Sequence, residues 1–440
     1  MAFLHAQSCE CLKSELLLFD TPPTQTTIES SHMVQYKPIS SLSDDSPIEF
    51  LIPSNSEEYL DLAHTILHLQ VSIKQQIATD DLPAARKAVV ENVGPICNFM
   101  HSLFSQVDVF CNQKPVSPPN NAYAYRAYIE TLLNYDPAAK NSHLTSVLYY
   151  ADTPGHMEDV NAGNEGLVKR REMTKKKSFD LIGHLHCDVF NQSRLLLNGV
   201  EVRVRLVRSR DEFCLMDPAN AYTIHIEEAN LLVRRVKISP SIMLAHAKAL
   251  NKTTAKYPLT RVEVKSFTMS SGTHGQTLDN IVLGQLPKRI IVAFFENKAF
   301  NGDRLLNPFN FQNFKVNFLC LYVDGIQIPS KPLQPNFDKG SYIDCYNSLF
   351  SGCGIFFMNE GNSISRSDYP NGYCIFAFDL TPDLSANDLT HWNLLKHGNV
   401  RLDVRFAESL KSTVNCIVYA EYENILEIDS SRQVIVDFSN

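Results

Sequence analysis

Asn307-Pro308-Phe309-Asn310-Phe311-Gln312-Asn313-Phe314 opens the stretch on which the reading of this chain turns. Leu321-Tyr322-Val323-Asp324-Gly325, Leu333-Gln334-Pro335, Phe350-Ser351-Gly352, Asp368-Tyr369-Pro370-Asn371-Gly372 and Asp379-Leu380-Thr381-Pro382-Asp383-Leu384 follow it. Aromatic and β-branched side chains fill a pleated, half-buried surface, whereas Asn-Pro, Asp-Gly and Asn-Gly pairs punctuate a chain with turns. The stretch therefore predicts aromatic-rich β structure broken by rigid loops, and no catalytic spacing repeats within it.

The same pattern extends on both sides. Residues 261–268, 289–296, 314–323, 373–379, 400–406 and 413–422 each have strand length and composition. Short strands at regular intervals argue for a sandwich or jelly roll, and the lack of helices alternating with strands argues against a doubly wound α/β fold. Two hairpins are predicted, around Asn198-Gly199 and Asp324-Gly325, because these residues tolerate the positive φ of a tight, twist-matched turn. After the first turn Val200, Val202 and Val204 alternate with Glu201, Arg203 and Arg205, the pattern of a sheet with one wet face.

Further towards the N-terminus, residues 1–45 are rich in Ser, Thr and Pro and read as an extended arm, either running along a neighbouring subunit or serving as a plain lead-in. A strand is expected over 65–73 and helices over 82–93 and 122–134, the latter behind the start signal Pro118-Pro119-Asn120-Asn121. Residues 152–177 read as a long surface loop. Ser239-Pro240 caps a short apolar helix to about Leu250, after which Tyr257-Pro258 restarts extended structure. The boundary placed there gives a first sandwich over 46–250, with long loop insertions and the linker helix, and a second over 251–440. No clear sequence repeat relates the two.

A chain of 440 residues exceeds one compact core, and 44% hydrophobic with 20% charged residues describes a globular protein. A net charge of -8 gives no sign of a surface that coats nucleic acid. The eleven cysteines, an odd number without a CxxC pair, read as buried thiols of a reducing compartment; Cys9 and Cys11 are too sparse for zinc. No secretory signal is read, since the apolar run 16–19 is short and preceded by Lys13 and Glu15. Runs 290–295 and 318–323 are too short to span a bilayer. Asn191-Gln192-Ser193 and Asn251-Lys252-Thr253 match the glycosylation pattern by chance.

Motifs for chemistry are sparse. His64 and His68 have a zinc-protease spacing, but Thr65 stands where the general-base Glu is needed. His184 and His186 share one face of a strand without a third ligand at fixed spacing, and packing or hydrogen bonding is the preferred reading. Gly352-Cys353-Gly354 lacks the nucleophile-elbow pattern, no phosphate-cradling glycine motif occurs, and Glu227-Glu228 and Asp80-Asp81 read as solvated. Lys169, Arg170, Arg171, Lys175, Lys176 and Lys177 form the one dense basic run, read as a nuclear-import signal or phosphate contact, or else as a solvated loop rim. No catalytic, metal or cofactor residue is nominated.

The ordered set of motifs resembles the major capsid proteins of Polinton (Maverick) elements, also called adintoviruses. It begins at Leu18-Phe19-Asp20-Thr21-Pro22-Pro23-Thr24-Gln25-Thr26 and passes through Tyr125-Arg126-Ala127-Tyr128-Ile129-Glu130-Thr131-Leu132-Leu133 and the Asn198-Gly199 turn. It is densest from Asn307 to Phe438, including Thr390-His391-Trp392-Asn393-Leu394 and Arg432-Gln433-Val434-Ile435-Val436-Asp437. The resemblance implies an all-β double jelly roll, two tandem eight-stranded sandwiches with a few short helices in loops and linker. It also implies a non-enzymatic subunit without cofactor. Three copies would form a pseudo-hexameric homotrimer that meets neighbouring capsomers and penton or minor capsid proteins. The resulting icosahedral virion shell would enclose double-stranded DNA without binding it strongly, with synthesis in the host cytoplasm and possible nuclear import. Residues 152–177 and 337–368 are candidates for outward or intersubunit loops. The rival readings are a carbohydrate- or receptor-binding β-sandwich, a hydrolase on a β scaffold, and a host-domesticated capsid gene without a packaging role.

Overall fold

Alternation makes the strands: along Val202–Arg208, Val202, Val204 and Leu206 are buried while Arg203 is exposed, so one face joins the core and the other meets solvent. The computed structural model describes residues 11–44, 46–118, 122–176, 178–388 and 390–436. Cys9, the Pro119-Asn120-Asn121 part of a helix start, Lys177, Asp437 and Phe438 lie outside the described residues.

Among the described residues, the short pair Gly94–Pro95 and Leu215–Met216 stands apart, and eight strands of the two larger sheets precede the linker helix: β1 (Ile28–Tyr36), β2 (Ile48–Ile52), β3 (Glu58–Gln75), β4 (Phe104–Cys111), β5 (Lys114–Pro115), β6 (Phe179–His184), β7 (Val202–Arg208) and β8 (Tyr222–Ile238). They form two antiparallel sheets, β1-β8-β3-β6 and β2-β7-β4-β5. Among the described residues after the linker helix, the short pair Phe311–Gln312 and Asn371–Gly372 is likewise apart, and eight more strands belong to the larger sheets: β9 (Ala255–Met269), β10 (Gly275–Gln285), β11 (Arg289–Glu296), β12 (Val316–Val323), β13 (Ile326–Leu333), β14 (Ile375–Asp379), β15 (His397–Phe406) and β16 (Val414–Ile428). These form β9-β16-β11-β14 and β10-β15-β12-β13, with β17 (Val434–Val436) added beside β16. Counted one to eight within each half, both halves have the same order, 1-8-3-6 opposite 2-7-4-5. The fold is an all-β double jelly roll.

Four helices of ten residues or more decorate it: α1 (Tyr123–Asn134), α2 (Glu165–Thr174), α3 (Pro240–Leu250) and α4 (Ile343–Gly352). α1 and α2 lie between the fifth and sixth strands of the first half, and α4 lies between the fifth and sixth strands of the second. Both halves thus enlarge the same loop. One buried apolar cluster runs through both sandwiches. No helix of the described residues is long and apolar enough to cross a membrane.

Several local expectations are corrected. Asn198-Gly199 does turn, with Gly199 at φ 79°, but it is no hairpin: Leu196 bridges Leu60 beside one sheet, and β7 pairs β2 and β4 in the other. A turn signal says that the chain reverses, not which strand it meets next. The Asp324-Gly325 hairpin forms as expected, with Val323 opposite Ile326 and both turn residues at positive φ. Residues 82–93 contain only the single turn Ala84–Lys87 and 3-10 turns, since Pro83 interrupts the run and only Leu82 and Val90 find an apolar cluster. α2 and α4 stand inside stretches read as loops, and Ile28–Tyr36, read as part of an arm, pairs along β8.

Candidate functional site: the seam between the jelly rolls

α1 carries Arg126 and Glu130 four residues apart, so both side chains leave the same face of the helix. Arg126 Nε donates to Glu130 Oε1 at 2.8 Å, and its Nη2 lies 2.7 Å from Asp188 Oδ1. Glu130 Oε2 meets His186 Nδ1 at 2.6 Å. From the second jelly roll, the Tyr419 hydroxyl reaches Glu130 Oε1 at 3.3 Å and Glu421 Oε1 at 3.0 Å, and Glu421 Oε2 takes Arg289 Nη2 at 3.0 Å. All of these groups are buried. The relay therefore runs from β6's end to β11 across the boundary between the halves.

Burial pushes the Glu130 carboxyl up, but the Arg126 charge and the His186 hydrogen bond outweigh it and hold the group at about 2. His101 stands edge-on to His186, ring centroids 4.7 Å apart, with Nδ1 3.1 Å from the Tyr123 hydroxyl. Burial drives its pKa well below the ordinary histidine value, and the neighbouring His186 and His184 push the same way, so it sits there neutral. Paired charges of this kind are costly to bury and costly to break; they fix one arrangement of the parts they join.

A second knot centres on Asp152. Its Oδ1 pairs with Arg170 Nη2 at 2.5 Å and accepts from Asn164 Nδ2 at 2.8 Å. Its Oδ2 accepts from Asn307 Nδ2 at 2.9 Å, and its backbone carbonyl accepts from the Tyr373 hydroxyl at 2.7 Å. Arg170 also donates from Nε to Pro95 O at 2.7 Å. Asn164 caps α2, and a Cβ on Gly166 would come within 2.1 Å of Ala151 O, so the helix presses directly on the backbone of Ala151. Between the knots an aromatic wedge closes the seam. Tyr128 stacks on Phe309 at 4.1 Å and 5°, and Tyr125 stacks on Phe295 at 4.8 Å. Asn307-Pro308-Phe309 is thus a seam element: Asn307 and Phe309 are both buried.

The basic run divides between buried and exposed side chains. On α2 Arg170 is wholly buried in its ion pair, and Arg171 is half-buried and donates to Val93 O and Asn92 O. Only Lys169, Lys175 and Lys176 are exposed among its described members, so the run is not one continuous surface patch. His64 pairs with Asp61 at 2.8 Å, and His184 Nδ1 lies 3.3 Å from Thr65 O and its Nε2 3.0 Å from Asn191 Oδ1, both oxygens being acceptors. Among the described residues no group of three or more His, Cys, Asp and Glu is arranged to hold a metal. Cys353 is buried, and burial pushes its thiol up to about 11. Glu227-Glu228 and Asp80-Asp81 are exposed. The sequence reading missed the relay, although charged residues inside the otherwise apolar Tyr123–Asn134 and Val414–Ile428 were its available signal.

No protein-family model matches the chain. The Caenorhabditis elegans protein described as Uncharacterized protein F54H12.2 is 26% identical over 428 residues, 94% of this chain and 99% of that one. A chain in the cryo-EM structure of the Sputnik virophage aligns with TM-score 0.69 and 12% identity over 98% of this chain and 94% of its own. The PBCV-1 virus capsid aligns at 0.58 and 11% over 96% and 100%, and the mavirus major capsid protein at 0.54 and 12% over 99% and 95%. These neighbours are double jelly-roll capsid proteins, and at such identities the likeness is one of fold.

Proposed function

We propose that this chain is the structural major capsid protein of a Polinton-type element, acting through shape rather than catalysis. Three copies close into a pseudo-hexameric homotrimer of six roughly equivalent jelly rolls. These capsomers then join each other and penton or minor capsid proteins in an icosahedral shell around double-stranded DNA. The observation that carries the reading is that both jelly rolls share one strand order and are locked by a buried seam, over the length that aligns with viral capsid structures. A shell built from such subunits needs the two rolls to keep one mutual angle under load, and the relay and the Asp152 knot provide that.

The Polinton affiliation rests on the ordered motifs from Leu18 to Phe438. In this reading 1–45 is the N-terminal arm with its edge strand, 46–250 the first roll and 251–440 the second. The loops 337–368 and 384–395 touch through Asn387, which donates to Cys353 O, and they expose Phe356, Phe357, Met358, Leu384, Leu394 and Leu395. Exposed apolar side chains gathered on loops suit a contact between copies. Lys169, Lys175 and Lys176 are the part of the basic run open to an import receptor, and a reporter that stays cytoplasmic when fused to the full protein would end that idea. Light scattering on the purified chain of 49.7 kDa tests the whole: a threefold mass supports the capsomer, and a stable monomer at micromolar concentration refutes it.

A further inference from the structure

α3, the helix that joins the two jelly rolls, has no fully buried residue. Ile242, Met243 and Leu250 only half-pack against the core. Against this helix lies a cavity of about 490 Å³, within the range of small-molecule sites. Its walls come from three parts of the chain: Ile28, Leu195 and Ile238 of the first roll, Ile242 and Leu250 of the helix, and the start of β9.

Several polar atoms on these walls already have partners. The Tyr59 hydroxyl and His246 Nδ1 share a hydrogen bond of 2.9 Å, and the Tyr257 hydroxyl accepts from Leu197 N at 3.1 Å and donates to Leu195 O at 3.3 Å. What remains is largely apolar surface whose lining charges are cationic, with the Glu427 carboxylate accepting from the lining Thr254 Oγ1 and standing opposite Lys256 across the β9–β16 pair. Arg194 and Lys256 line the cavity and are exposed, and neither Asp nor Glu lines it. Arg194 Nη1 donates to the backbone carbonyl of Lys256, which brings the two cationic residues side by side. Neither forms an ion pair with a carboxylate among the described residues.

An apolar cavity of this size offers water few hydrogen bonds and offers an alkyl chain a dry surface. Two unpaired cations at its edge add a charge-assisted seat for an anion. We propose that the cavity binds an aliphatic monocarboxylate, an amphiphile of the fatty-acid class, with its tail against α3 and its carboxylate at Arg194 and Lys256. The inference does not depend on the capsid reading. Because the walls belong to both rolls and the linker, an occupant ties them together, and binding raises the stability of the folded chain by mass action.

Calorimetric titration of the full-length protein with dodecanoate, beside a thermal melt, tests this. Saturable binding of one dodecanoate per chain with a raised Tm is expected, and dodecanol should bind about tenfold more weakly because it lacks the charge. Ile242→Trp fills the cavity and should abolish binding, with Ala249→Trp as a second blocker should the first variant misfold. Arg194→Gln with Lys256→Gln should weaken dodecanoate about tenfold and leave dodecanol unchanged. Failure of the wild type to bind, undiminished binding in both blocked variants, or equal affinity for acid and alcohol overturns the proposal. So does binding that appears only with Leu18→Asp and Phe19→Asp. That result would give the cavity to the chain's own exposed Leu16–Phe19 segment, which lies a few residues before the lining Thr27.

Discussion

Glu130→Leu is the sharpest probe of the seam. The substitution keeps a similar volume on α1 but removes the acceptor shared by Arg126, His186 and Tyr419. Tyr419 keeps Glu421, so the loss falls chiefly on Arg126. That guanidinium stays buried with Asp188 alone, and side-chain exposures of 8%, 7% and 2% for Arg126, Glu130 and Asp188 leave little solvent to screen the damage. Breaking a buried pair by removing one partner costs about 3–5 kcal/mol. Replacing the whole set, Arg126→Met with Glu130→Leu and Asp188→Leu, removes the stranded charges together and should recover most of that loss. Urea unfolding followed by circular dichroism at pH 7 measures both, since the single Trp392 lies on an exposed loop and reports poorly on the seam. A cost under about 1 kcal/mol for Glu130→Leu, as for a surface pair, would refute the argument, and so would a triple variant no better than the single one. The pH dependence follows from the same residue. The Glu130 carboxyl titrates at about 2 in the folded chain against an ordinary 4.5, so its contribution is complete above 4.5 and lost as pH falls towards 2. Glu130→Leu should remove that part of the acid limb.

His101, held neutral beside His186 and His184, makes the unfolded chain bind a proton that the folded chain refuses below the ordinary histidine value of 6.5. Stability should therefore decline as pH falls from 6.5, and His101→Gln should flatten that slope in urea titrations taken at stepped pH. Arg170→Met should cost about 3–5 kcal/mol by stranding Asp152, whereas Lys169→Gln, Lys175→Gln and Lys176→Gln should each stay within about 0.5 kcal/mol in the same assay. Phe309→Ala removes the ring stacked on Tyr128 and should cost about 3–5 kcal/mol, visible as a lowered unfolding midpoint. Gly325→Ala places a Cβ on a residue at φ 81° and should lose about 1–2 kcal/mol, with strand order intact by circular dichroism.

Strand identity was legible because it is written locally. Residues 289–296 and 400–406 announce themselves by composition, Asp324-Gly325 by its turn chemistry, and Pro240–Leu250 by its cap and proline. The all-β class follows from such features without any long-range information. Pairing was not legible. Asn198-Gly199 looks like a hairpin from inside its own window, yet β7 finds β2 and β4, which lie far away in sequence. The seam was equally hidden. Arg126 and Arg170 look like ordinary surface cations, and it is the partners Asp188, Glu130 and Asp152, brought in by the fold, that let them sink.

The amino-acid sequence by itself determined the strands with clear alternation, the Asp324-Gly325 turn and the capped helix Pro240–Leu250, but not α2, α4 or the edge strand Ile28–Tyr36. The tertiary structure alone decided what each segment touches, and with it the repeated 1-8-3-6 and 2-7-4-5 order of the two rolls. The physical reason is that a jelly roll asks only for alternation, which many side chains satisfy, so two rolls can share a topology while their sequences share no repeat. Burial of a charge, by contrast, depends on a partner that only folding supplies.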